Sequence, residues 1–171
     1  MPSNIEIKAR VHDFIEMNRC AASLSDTSEQ VIAQEDTFFI TPKGRLKLRQ
    51  LSPQHGQLVY YERADSSGPK LSNYLIAETS DPDALKAALS AALGVRGVVR
   101  KVRHLYLAGQ TRIHLDQVDG LGDFMELEVV LCEGQSEGEG RAIAENLMNK
   151  LGAREEDLVQ GAYMDLLEDG K

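Results

Sequence analysis

The amino-acid sequence predicts an α+β fold in which about eight short antiparallel strands carry flanking helices. Three observations predict it. Apolar and polar residues alternate with period two along several segments, Gly- and Pro-rich turns separate those segments, and three other stretches repeat their apolar residues at helical spacing. Strands joined by such short turns must run antiparallel, because a parallel pair needs a long crossover.

The first strand covers residues 4–11, with Asn4, Glu6, Lys8 and Arg10 on one face and Ile5, Ile7, Ala9 and Val11 on the other. Residues 10–24 carry Val11, Phe14, Ile15, Met17 and Leu24 and predict a helix that starts near Asp13. A less regular strand follows at 33–40. Thr-Pro-Lys-Gly at 41–44 turns the chain into a strand at 45–49, where Arg45, Lys47 and Arg49 oppose Leu46 and Leu48. Ser-Pro-Gln-His-Gly at 52–56 leads to a strand at 57–64, and Ser-Ser-Gly-Pro at 66–69 to one at 70–78. Asp81 followed by Pro82 is a helix start, and Gly94 is a stop for the helix 81–93. Strands at 98–108 and 111–116 flank Ala108-Gly109-Gln110, and the second sets Arg112, His114 and Asp116 against Ile113 and Leu115. After the turn at 119–122, residues 124–131 place Phe124, Glu126 and Glu128 opposite Leu127, Val129 and Leu131. A helix from Ser136 to Leu151 stops at Gly152, and 155–167 reads as a short helix or tail that packs back through Leu158, Tyr163, Leu166 and Leu167.

The chain of 171 residues suits one domain, 1–171, with a sizeable core. A net charge of -8 and a pI near 5.0 argue against nonspecific binding to nucleic acid or to an anionic membrane. No apolar run approaches the ~18 residues that span a bilayer, and the N-terminus lacks a basic stretch followed by an apolar one. Cys20 and Cys132 read as two reduced thiols, with Cys132 packed, so the expected location is the cytoplasm. The oligomeric state is open, with a homodimer as one option.

Chemistry concentrates on the polar faces. Alternating charge on any one strand reads as an ordinary solvated face. Here the charges are sorted by sign: 45–49 is basic, 126–128 is acidic, 4–10 carries both, and Arg63, Lys101, Arg103 and Arg112 add cations. Were the sheet to curl with these faces inward, the cations would neutralise a polyanion and the carboxylates would hold a hard divalent ion.

Asn4-Ile-Glu6-Ile-Lys8, Gln34-Glu-Asp36-Thr-Phe-Phe39, Arg45-Leu-Lys47-Leu-Arg49, Lys101-Val-Arg103, Arg112-Ile-His-Leu-Asp116 and Phe124-Met-Glu126-Leu-Glu128 occur in that order. The set resembles the CYTH family, the triphosphate tunnel metalloenzymes named for class IV adenylate cyclases and thiamine triphosphatases. The stretch 114–124 is most similar to the cyclase branch. The resemblance implies an eight-stranded antiparallel β-barrel, a triphosphate tunnel, with a small-molecule triphosphate as substrate and Mg²⁺ or Mn²⁺ as cofactor. It implies Glu6, Asp116, Glu126 and Glu128 as metal ligands. Lys8, Lys47, Arg49, Arg63, Lys101, Arg103 and Arg112 would bind phosphates. Glu6, Glu126, Glu128 and Lys70 form the expected catalytic set, although Lys70 beside its turn also reads as a solvated lysine. Tyr163 reads first as a packed tyrosine and second as a cover for one tunnel mouth, and His114 as a hydrogen-bonded wall residue. The family's opening motif is Glu-x-Glu-x-Lys, and here Asn4 replaces the first glutamate, which weakens a second metal position. Three activities stay open: a triphosphate hydrolase, an adenylate cyclase, and a noncatalytic polyphosphate or nucleotide binder.

Overall fold

Eight strands hydrogen-bond into a ring, and the ring explains the two-faced alternation. The computed structural model describes residues 2–64 and 66–170. The strands are β1 (Ser3–Arg10), β2 (Gln30–Phe39), β3 (Arg45–Ser52), β4 (His55–Arg63), β5 (Lys70–Thr79), β6 (Val95–Ala108), β7 (Thr111–Val118) and β8 (Gly122–Val130). Their order around the closed barrel is β1-β5-β4-β3-β2-β6-β7-β8, with every pair antiparallel. Two meanders, β2 to β5 and β6 to β8, follow from the short turns. Two long-range seams close the ring: β2 pairs β6, and β1 lies between β5 and β8.

The helices form where the caps predict. In α1 (Phe14–Leu24) the Asp13 carboxylate accepts from the Glu16 N–H at 3.1 Å. In α2 (Pro82–Leu93) Asp81 caps and Pro82 occupies the first turn. In α3 (Glu137–Leu151) Ser136 and Glu139 form a reciprocal capping box, and Gly152 takes the left-handed conformation that ends the helix. The tail is a 3-10 turn (Glu155–Asp157) followed by α4 (Tyr163–Asp169).

Apolar packing divides into two regions. Outside the wall, α1 and α3 cover Ile5, Ile7, Ile113, Leu115, Leu127 and Val129, the outward faces of β1, β7 and β8. Gly140 allows that contact: a Cβ there would lie 2.5 Å from Leu131 Cδ2 and 2.7 Å from Ile5 Cγ1. Inside one end of the barrel, Phe38, Val99, Val118 and Phe124 pack against Tyr163 and Met164 of α4. The tail therefore seals that end. Arg45 and Arg96 tie it down through Asp165, at 2.9 and 2.6 Å.

Both cysteines are free. Cys132, expected to pack, is exposed, because β8 ends at Val130 and the chain has left the sheet before the thiol. Among the described residues no helix is long and apolar enough to cross a membrane.

Candidate functional site

The inward faces of all eight strands line one cavity of about 220 Å³. It contains the sign-sorted residues. Glu6, Lys8, Lys47, Arg49, Arg63, Lys101, Arg103, Arg112, Glu126 and Glu128 all face it. Strand register explains how they meet: Glu6 lies opposite Glu128, Lys8 opposite Glu126, and Arg112 opposite Glu128 from the other side.

Two buried acids organise the cations. Asp36 accepts a fork from Arg49 at 2.9 and 2.8 Å, with Lys47 at 3.4 Å and Lys101 at 3.7 Å. Burial alone would raise its carboxyl, but Arg49, Lys47 and Lys101 outweigh burial and hold it well below the usual carboxylate range. Asp116 accepts a second fork from Arg103 at 2.8 and 2.9 Å and the Tyr163 hydroxyl at 2.8 Å. Its carboxyl is likewise lowered, against burial, chiefly by Arg103 and Lys101. These forks hold the guanidinium groups in fixed orientations before any ligand arrives.

The other acids gather on the β1–β8–β7 side. Arg63 donates to Glu6 at 2.8 Å, and Lys8 lies 3.6 Å from Glu126. The Glu6 carboxyl is raised by burial and then by the neighbouring charges of Glu128 and Glu126, only partly offset by Arg63. Glu126 and Glu128 stay lowered despite burial, the first mainly by Lys8 and His114, the second by His114 and Arg112. Burial brings the Lys8 ammonium down to about 8, and burial with Arg103 lowers Lys101 well below the ordinary lysine range.

Asn4 Nδ2 donates to Glu128 Oε2 at 3.0 Å, while Asn4 Oδ1 is buried without a hydrogen-bond partner. His114 Nδ1 is buried as well, without an aligned hydrogen bond but within ion-pair range of Glu128 and Glu126. One ligand atom each from His114, Glu126 and Glu128 lies within 4.8 Å of the others. Orphaned buried acceptors beside carboxylates that repel one another are what a hard divalent ion satisfies. The residues present fit such an ion.

Two expected site residues stand elsewhere. Asp116, expected among the metal ligands, commits its two oxygens to Arg103 and Tyr163, because β6 places Arg103 directly across from it. Lys70, expected in the catalytic set, sits in the wall as the register partner of Glu6 and donates to the Ser66 carbonyl at 2.8 Å; it is not among the residues lining the cavity. Tyr163 both packs and seals, edge-on to Phe124 with Lys8 Nζ 4.0 Å above its ring. In the sequence Asp36 stands only within the motif Gln34-Glu-Asp36-Thr-Phe-Phe39, which assigns it no role. Its signal was register: counting outward from the 41–44 turn sets it opposite Arg49.

A closed antiparallel barrel whose interior carries cations and a carboxylate cluster defines a tunnel fold built to hold an anion. The CYTH domain family matches this chain over residues 3–163, and the chain belongs to that family. The adenylate cyclase CyaB of Aeromonas hydrophila is 26% identical over 180 residues, covering 96% of this chain and 88% of its own. Among solved structures, the PH1012 protein of Pyrococcus horikoshii OT3 superposes with a TM-score of 0.83 at 28% identity, covering 95% of this chain and 98% of its own. HpAC1 from Hippeastrum, an adenylyl cyclase by name with a dominant triphosphatase activity, superposes with a TM-score of 0.68 at 17% identity, covering 98% of this chain and 96% of its own.

Proposed function

We propose that this chain is a metal-dependent enzyme that binds a triphosphate-bearing small molecule in its barrel and hydrolyses the terminal phosphoryl bond. One observation carries the reading: a closed-ended cavity in which fixed cations face a carboxylate cluster. A triphosphate needs both, because its oxygens repel one another and charge redistributes onto the leaving oxygens as the bond breaks.

Arg49 and Arg103, aligned by Asp36 and Asp116, grip phosphate oxygens in pairs, and Lys8, Lys47, Lys101, Arg63 and Arg112 neutralise the remainder. Glu126, Glu128 and Glu6 would hold Mg²⁺ or Mn²⁺, which would supply positive charge against the charge that develops on the phosphate. A water oriented by the carboxylate cluster would attack phosphorus in line and pass its proton to a carboxylate there. The P–O bond to the rest of the chain breaks, and orthophosphate leaves.

The cavity volume favours hydrolysis. About 220 Å³ is below the roughly 300–1,000 Å³ typical of small-molecule pockets, so the enclosed space takes the phosphates and leaves the organic group outside. Away from α4 the lining turns to Ile32, Leu105 and Ile76, with Gln57 and Asn4 beside them, a surface on which the organic group would rest. The cyclase reading draws on the CyaB relative, and loss of charge at Asn4 motivates a pure binder. The test incubates purified protein with tripolyphosphate, thiamine triphosphate and ATP, each with Mg²⁺ or Mn²⁺. Orthophosphate release is the expected result. Cyclic AMP with pyrophosphate would replace this reading by the cyclase, and tight binding without turnover would replace it by the binder.

A further inference from the structure

His114 is a buried cavity residue that the reaction above leaves without a task. Its side chain is 3% exposed, and its Nδ1 stands 3.2 Å from Glu128 Oε1 and 3.5 Å from Glu126 Oε1. Both are ion-pair contacts that fall short of strict hydrogen-bond geometry at Nδ1. A wall histidine would be expected to spend that nitrogen on a neighbour. The spacing has another explanation. Adjacent ligands of an octahedral ion with bonds of about 2.1 Å lie roughly 3.0 Å apart, close to the separations observed. His114 also projects directly across from Glu126, and Glu126 and Glu128 alternate on the same face of β8, so three donors converge from two rigid, paired strands.

We propose that His114 Nδ1 is a direct ligand of the divalent ion held by Glu126 and Glu128, making the centre a mixed nitrogen–oxygen site that selects Mn²⁺ over Mg²⁺. The inference rests on the reading that this cluster holds the ion. Imidazole nitrogen suits first-row transition ions, whereas Mg²⁺ prefers oxygen and retains water. A metal-bound imidazole adds a donor without adding negative charge, at a site where Asn4 stands in place of an acid.

The test is pulsed electron paramagnetic resonance of full-length protein loaded with Mn²⁺, paired with Mn²⁺ and Mg²⁺ titrations by calorimetry. Directly bound imidazole imposes a ¹⁴N coupling on the Mn²⁺ signal. That coupling is expected in the wild type, is replaced by a ¹⁵N pattern on labelling the histidines, and disappears in His114→Gln. The same variant is expected to lose Mn²⁺ affinity roughly tenfold or more, with a smaller loss for Mg²⁺. The labelling experiment needs no variant to fold. Mn²⁺ bound through Glu126 without nitrogen coupling, or coupling that survives in His114→Gln, overturns the ligand assignment and leaves the proposed function standing. Mn²⁺ binding that is unchanged in Glu126→Gln overturns both.

Discussion

Replacing Asp36 with Asn tests whether one buried carboxylate organises half of the cation set. The side chain is 2% exposed and serves Arg49, Lys47 and Lys101 at 2.8, 3.4 and 3.7 Å. Solvent cannot screen these contacts, and the amide that remains carries no charge. Removing one member of a buried ion pair costs about 3–5 kcal/mol, because the partner charges stay behind. For a chain of this size each kcal/mol moves Tm by about 2–4 °C, so the melting point should fall by about 6–20 °C. Urea unfolding at pH 7, followed by circular dichroism, measures the loss. Tripolyphosphate supplies the missing negative charge, so it should stabilise Asp36→Asn more than the wild type at the same concentration. The pH dependence has a defined sign. The folded carboxyl is lowered, so its contribution is complete above the unfolded value of about 3.9 and is lost as pH falls through the folded one. The gap between wild type and variant should therefore narrow in acid. A loss below about 1 kcal/mol at pH 7, or an equal stabilisation by tripolyphosphate, would refute the reasoning.

Glu126→Gln should abolish metal-dependent turnover while the circular dichroism spectrum stays native; full activity would remove Glu126 from the metal site. Asn4→Asp should tighten metal binding, since it restores a charge 3.0 Å from Glu128, and an unchanged calorimetric titration would place Asn4 outside the site. Gly140→Ala should destabilise by about 1–3 kcal/mol despite the better helix propensity of alanine. The new methyl meets Ile5 and Leu131 at 2.7 and 2.5 Å, so a gain in urea midpoint would show that β1 can retreat.

Much of this architecture is legible in the sequence because period-two alternation is a local signal. Ile5, Ile7 and Ala9 lie outward under α1 and α3, and Glu6 and Lys8 lie inward, as their spacing requires. The caps at Asp13, Asp81 and Ser136 are also local, and each forms as expected. Ring closure is not local. The β2–β6 and β1–β5 seams join segments with a helix and several strands between them, and the closed barrel was legible only through the family resemblance. Asp36 escaped notice because β2 is buried on both faces from Asp36 to Phe39, so its polar alternation vanishes there. Asp116 is a metal ligand only by what the resemblance implies. Counting back from the 108–110 turn sets Arg103 opposite it, and that pairing has already claimed the carboxylate.

If the proposed function holds, charge balance gives Asn4 a role in this barrel. Counted as fully ionised, as a bound polyanion and cation would favour, seven cations line the cavity against the four carboxylates Glu6, Asp36, Glu126 and Glu128, and Asp116 behind Arg103 makes five, a formal surplus of two positive charges. One divalent ion raises the balance to four. The tail of a triphosphate ester carries about four negative charges, one on each inner phosphoryl group and two on the terminal group above its second pKa. A glutamate at position 4 would lower the protein's share by one, and two ions would then overshoot the tail. With Asn4 in place, a single ion matches it. The substitution is therefore consistent with a working one-metal site as well as with a lost two-metal one. Metal stoichiometry separates these cases: one ion per chain with turnover fits the balance, and two ions per chain with turnover contradict it.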